Sequence, residues 1–315
     1  MKSPFSRVSH IAMAVAAGLA VACAGASAQT LEGVTVTQQG NGNTSHVEQL
    51  RPEPTSPAPT AVITQIGNNN HVGGPGGTTD GLRQINNPGG VFAQIKQTGT
   101  GNNAGLTQTG IGGIPTRGFI TQVGNANTAT LRQEASDDMA AFVNQNGSGN
   151  VTDVLQIESG TVEFLSIQNG TNNQLTVVQR GTSHRSPYIE QNGDGNVAEA
   201  LINGNPFGGP SIRQTGTRNS ASTVQTESYE SDIGISQLGT DNGASASQRG
   251  ENDIAIIEQE GIGNNGNVIQ YGMGNFARIG QFGNVNTAFV RQEGLGYAAN
   301  VSQVGSGNYT YVYQH

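Results

Sequence analysis

Side chains able to do covalent or metal chemistry are scarce in this sequence. The single cysteine, Cys23, lies in an apolar N-terminal run, and beyond it the histidines are His46, His71, His184 and His315. None stands at metal-ligand spacing with another, so all four read as solvent-facing polar residues. Gly-rich stretches such as GIGNNGN (261–267) lack both the lysine of a phosphate loop and a following helix, which removes nucleotide binding. Calcium-binding repeats need Asp at a fixed slot where this chain has Asn, which cannot neutralise the ion. No catalytic, cofactor or metal site is expected, and Asn-x-Ser/Thr triplets such as that at Asn150 arise by chance in so Asn-rich a chain.

What remains is the chemistry of the side-chain amide, one acceptor and two donors that can bond to their own kind. In the segment QYGMGNFARIGQFGNVNTAFVRQ (270–292), Gln, Gly, Asn and Ala return every eleven residues. Gln followed two places later by Gly occurs at 38, 65, 97, 108, 122, 145, 168, 179, 191, 214, 237, 248, 259, 270, 281, 292 and 303. From 122 to 237 the landmarks step alternately by 11 and 12, with Ile202 standing in once for Gln; from 237 to 314 every step is 11. Two arms therefore make a rung of 22 or 23 residues.

Within an arm the special positions are two apart, as in a β-strand that turns them to one face. Counting from each Gln, the slot nine residues on holds Val47, Leu106, Leu131, Val154, Val177, Ile257, Val268, Ile279, Val290, Val301 and Val312, the branched aliphatics a dry strand face needs. Residues just before each Gln, such as Thr121, Arg132, Glu190, Arg213 and Arg291, are mixed and expected to face water. Strands should end at the Gly and the following Gly-Asn, where Gly permits positive φ and Asn tolerates the left-handed region. Stacking such rungs about 4.8 Å apart would lay amide over amide, so that each buried Gln or Asn is satisfied by its counterpart one rung away.

The residues expected in these ladders are Gln97, Gln108, Gln122, Gln133, Gln145, Gln156, Gln168, Gln179, Gln191, Gln214, Gln225, Gln237, Gln248, Gln259, Gln270, Gln281, Gln292, Gln303 and Gln314. Their asparagine companions are Asn102, Asn127, Asn150, Asn173, Asn196, Asn219, Asn242, Asn275, Asn286 and Asn308. The fold class is all-β, a β-solenoid of two-strand rungs resembling amyloid, with about ten or more rungs.

Composition agrees. Aromatic residues are 5%, Trp is absent and Gly takes 47 of 315 positions, which leaves too little for an ordinary core. Charged residues are only 11%, unlike charge-rich disorder. Residues 1–28 read as a signal peptide: Lys2 and Arg7, an apolar run from Ile11 to Ala22, and a small-residue cleavage site at Ala26-Ser27-Ala28. Its loss would take Cys23 with it; the alternative is a lipoprotein acylated at Cys23. Losing Lys2 and Arg7 from 14 basic residues leaves 12 against 22 acidic ones, a net of −10, which repels nucleic acid.

The pattern Q-x-G-x-x-N-x-A-x-x-x-Q, intact at 97–108 (QTGTGNNAGLTQ), 122–133 (QVGNANTATLRQ) and 214–225 (QTGTRNSASTVQ) as well as at 237–248, 270–281 and 281–292, resembles the curlin repeat of curli subunits. The resemblance covers most of residues 34–314. It implies an extracellular functional-amyloid subunit, exported through the periplasm of a Gram-negative bacterium and an outer-membrane channel, and growing on a nucleator subunit. It would also imply a role in biofilm matrix and surface adhesion. The chain is long for such a protein, and three arms, 133–145, 156–168 and 225–237, lose the Gly and gain Glu134, Asp137, Asp138, Glu158, Glu163, Glu227, Glu230 and Asp232. Those acids should gather on one side, as solvated loops or as gatekeepers against premature stacking.

The Pro-rich RPEPTSPAPT (51–60) and GGPGGTTD (73–80) read as loops, so residues 29–60 are taken as an arm with a first partial repeat and a linker, and 61–315 as the solenoid. The favoured function is a head-to-tail homopolymer; the alternatives are a nucleator subunit or a monomeric solenoid acting as an adhesin or ligand-binding surface. The motif runs through Gln303, Gly305, Asn308 and Thr310 to Gln314, leaving no room for the polar cap a monomeric solenoid needs. The final strand is thus expected to be a docking edge that a proline at Val312 would block.

Overall fold

The computed structural model describes residues 11–16, 27–31, 33–50, 58–73, 81–85, 87–112, 116–135, 137–182, 186–204 and 207–315. Over these described residues it is a β-solenoid of about 11 turns with no helix. Two sheets run its length, one of 13 strands and one of 14. Each rung gives one strand to each sheet, as in Thr116–Asn125 followed by Thr128–Glu134, or Phe276–Asn284 followed by Thr287–Leu295.

Neighbouring rungs pair in parallel and in register, Gln over Gln and Gly over Gly: Gln122 lies opposite Gln145 and Gly124 opposite Gly147. A one-residue slip would turn every inward side chain to solvent, so the alternating pattern itself fixes the register. Inward residues give their N–H to the rung before, as Ala61 does to Gly33 (2.7 Å), and outward residues give theirs to the rung after, as Thr287 does to Asn308 (2.8 Å). A strand at the end of the stack therefore offers donors only from alternate residues.

The interior is a thin slab of small and branched aliphatics from both sheets, including Ile63, Ile95, Ile120, Ile189, Ile212 and Ile279 on one side and Leu106, Leu131, Val154, Val177, Val268 and Val290 on the other. The aliphatic slot read from the sequence lies in this core up to Val301, and Val312 on the last strand is partly buried against it. The outward columns, expected to be mixed, include one apolar run. On the 14-stranded sheet the residues preceding the Gln include Leu155, Val178, Leu201 and Val224, which align rung over rung on the outer face.

Val34–Gln39 and Thr44–Leu50 already form a rung stacked in parallel on the next, whose return strand is split into His71–Val72 and Leu82–Ile85. Behind that first rung, Ile11–Ala16 and Ser27–Leu31 pair antiparallel with Thr44–Leu50 and Val34–Gln39. The remainder of the leader, including Cys23, lies outside the described residues, as do most of the two Pro- and Gly-rich loops and His184.

Candidate functional site

The amides form the ladders that buried polar groups require. On the 13-stranded sheet Gln38, Gln65, Gln97, Gln122, Gln145, Gln168, Gln191, Gln214, Gln237, Gln259, Gln281 and Gln303 make one unbroken line, each Nε2 donating to the next Oε1 at 2.6–2.9 Å. The other sheet carries two shorter lines, Gln49–Gln84–Gln108–Gln133–Gln156–Gln179 and Gln225–Gln248–Gln270–Gln292–Gln314. Ile202 separates them, and the buried Oε1 of Gln225 is left without a hydrogen-bond partner. An orphaned buried acceptor of this kind costs about 1–3 kcal/mol.

A third ladder runs along one corner. Asn43, Asn70, Asn102, Asn127, Asn150, Asn173, Asn196, Asn219, Asn242, Asn264, Asn286 and Asn308 are joined by Nδ2 and backbone N–H, both donating back to the preceding Oδ1. Up to Asn286 each Nδ2 also reaches forward to a glycine carbonyl on the next rung, Asn150 to Gly170 at 2.9 Å for instance. The Gln and Asn lines thus run in opposite donor directions.

Three points differ from the sequence reading. Asn264 belongs to this ladder and Asn275 does not: Asn275 sits at the opposite corner, bonded to Asp253. The count of five residues from Gln259 would have found Asn264, and from Gln248 it would have found Asp253. The recurrent Asn is also not the left-handed residue. That conformation falls one place earlier, on Asn69, Ala126, Asn172, Arg218, Asp241 and Val285 (φ 51 to 57°), so Asn recurs for its amide and not for its backbone. Finally, Val312 is an inward residue whose N–H faces the preceding rung, by the alternation seen along the solenoid. A proline there breaks that internal pairing; the forward-facing donors of the strand are those of Tyr309, Tyr311 and Tyr313.

The two corners are built differently. At the first, joining the 13-stranded to the 14-stranded sheet, the residue two after Gln is always Gly, with φ between 105 and 125° from Gly40 to Gly239. A Cβ there would run into the carbonyl oxygen of the glycine one rung on, as Gly216 would into Gly239. At the second corner the same position is Gly110, Ala135, Glu158, Gly181, Gly204 and Glu227, in the left-handed region at φ 47 to 67° and clear of the next rung. Space, not chemistry, therefore lets the three arms lose their glycine. Small or hydroxylic residues replace the amide ladder there, with Thr182 donating to Ser159 (3.1 Å). Along this edge gather the half-buried Glu134 and the exposed Asp138, Glu158, Glu163, Glu227 and Glu230.

From residue 248 the second corner takes the form of the first: Gly250, Gly272 and Gly294 have φ 137 to 143°, and the step shortens from 12 to 11. Residues 239–272 and 263–294 match the family described as the curlin associated repeat. Residues 239–294 are similar to the curlin associated repeat. The match falls where both corners are built alike: the arms from Gln259, Gln270 and Gln281 show the full Gln, Gly and Asn pattern, and the arm from Gln248 has Asp253 in the place of the Asn. No curated protein matches the chain. Curlin repeats and β-solenoids are structural families, not enzymatic ones.

Titratable groups are few in the interior. His71 accepts or donates at Nδ1 with Thr44 Oγ1 (2.7 Å), and burial lowers its pKa. Asp253 is fully buried, and burial raises its carboxyl against the opposing pull of its hydrogen bonds from Asn275. Among the described residues no group of three or more His, Cys, Asp or Glu is placed to hold a metal ion.

Proposed function

We propose that the chain is a self-assembling subunit of a curli-type extracellular fibre, exported after loss of residues 1–28 and contributing to a matrix that holds cells together and to surfaces. The observation that carries this reading is the directionality of the ladders. Along the Gln lines Nε2 donates forward and along the Asn ladder Oδ1 accepts from the next rung, so the front of one solenoid complements the rear of another. A contact of that sort repeats without closing and gives a filament. Loss of residues 1–28 removes Ile11–Ala16 and the start of Ser27–Leu31, baring the rear of Val34–Gln39 and Thr44–Leu50 for pairing. A nucleating subunit and an outer-membrane channel are the partners the repeat family suggests.

The test is incubation of chain 29–315, followed by electron microscopy, dye binding and fibre diffraction. Filaments with a cross-β repeat of about 4.8 Å are expected, and Tyr311→Pro, which removes a forward donor, should slow their growth. Protein that stays monomeric under the same conditions would favour the adhesin reading. Filaments from both variants at one rate would move the contact elsewhere.

A further inference from the structure

Asp253 occupies the buried corner position that Asn fills at every rung of the other corner. Its Oδ1 accepts the backbone N–H (2.8 Å) and Nδ2 (3.0 Å) of Asn275, as an Asn would, and its own N–H donates to Ser231 Oγ (3.1 Å). Its other oxygen is the anomaly. Where each ladder Asn sends Nδ2 to the next glycine carbonyl, as Asn242 does to Gly261 (3.0 Å) and Asn275 to Gly294 (3.1 Å), Asp253 places Oδ2, buried and without any partner. The equivalent acceptor on the next rung is the Gly272 carbonyl. A carboxylate aimed at a carbonyl is repelled, whereas a neutral carboxyl has an O–H to give it.

We propose that Asp253 is a proton-operated latch, protonated when the last rungs close onto the middle of the solenoid and destabilising that junction when ionised. It stands where the second corner changes from the longer form at Ser228–Ser231 to the Gly-x-x-Asn form, so it governs the seam between two geometries. Around it the rung below carries Tyr229, Glu230 and Asp232, its own rung Arg249 and Glu251, and the rung above Tyr271. Arg249 is bonded at the surface to Glu227. Carboxylates thus outnumber cations, and no charge compensates Oδ2.

A group raised by burial contributes its full stability below the ordinary aspartate range and loses it as pH rises through its folded value. The full chain should therefore gain stability on acidification from neutrality, and Asp253→Asn should abolish that part of the gain by supplying the missing Nδ2–H. In urea unfolding at about pH 7.5, Asp253→Asn is expected to be the more stable, by about tenfold in folding constant for each unit by which the carboxyl is raised, with the gap closing towards about pH 4.5. A gap unchanged with pH, or a less stable variant at neutrality, would overturn the proposal. Carboxyl titration in the ¹³C-aspartate-labelled folded wild type, independent of any variant's folding, should place Asp253 above ordinary aspartate; titration at or below that range overturns it too.

Discussion

The two corners of each rung face the same demand, to reverse the chain and pack against a copy of themselves one rung away, and they meet it differently. At the first corner the glycine backbone touches the next rung and the following Asn joins a continuous ladder, so two positions out of five are fixed at every turn. At the second corner, up to residue 231, the chain swings clear of its neighbour, Gly gives way to Ala and Glu, and side-chain hydroxyls do what they can. Close approach of backbone to backbone is what makes a repeat strict. Where the approach relaxes, the sequence drifts, and acids accumulate on the edge that tolerates them.

The largest expected effect tests that difference directly. Gly216→Ala puts a methyl group against the Gly239 carbonyl in a conformation L residues avoid and should cost about 3–5 kcal/mol. Gly204→Ala, with its nearest neighbour 3.9 Å away, should cost only about 1–2 kcal/mol. Equal losses in thermal unfolding would mean the corners are sterically alike after all.

The ladders offer a second contrast. Gln281→Leu interrupts the unbroken line and leaves Gln259 Nε2 and Gln303 Oε1 without their amide partner, for about 1–3 kcal/mol at each. Ile202→Gln does the reverse, bridging the broken line and satisfying Gln225 Oε1, and should stabilise the chain by about 1 kcal/mol in urea unfolding. If the glutamine destabilises instead, the core around Ile202 is packed for an aliphatic and the gap is structural rather than tolerated.

Smaller effects sharpen the picture of the first corner. Val285, a β-branched residue at φ 55°, is strained where its counterparts are Gly, Asn, Asp, Ala126 or Arg218, none of them β-branched, so Val285→Gly should raise stability by about 0.5–1 kcal/mol despite the added chain entropy. Arg291→Ser should change it least. Arg291 is paired with Glu293 and lies 5.7 Å from the Tyr313 ring centre, but both partners are substantially exposed, so less than about 0.5 kcal/mol is expected in the same assay.

The sequence by itself determined the strands, their inward face and the rung length, because a period of two and a period of 22 or 23 are both written in residue type: a buried amide tolerates only another amide, and a dry face only an aliphatic. It also marked Ile202 as the exception. What it left undecided was which arm turns which corner, since Gln-x-Gly looks the same at both until the neighbouring rung is in place. Only the stacked structure shows that glycine is required where its carbonyl neighbour leaves no room for a Cβ, that Asn264 and Asn275 lie on opposite edges, and that Asp253 fills an amide's place with one oxygen unpartnered. Those are contacts between residues 22 or more positions apart, set by the distance between rungs, and no local pattern encodes that distance.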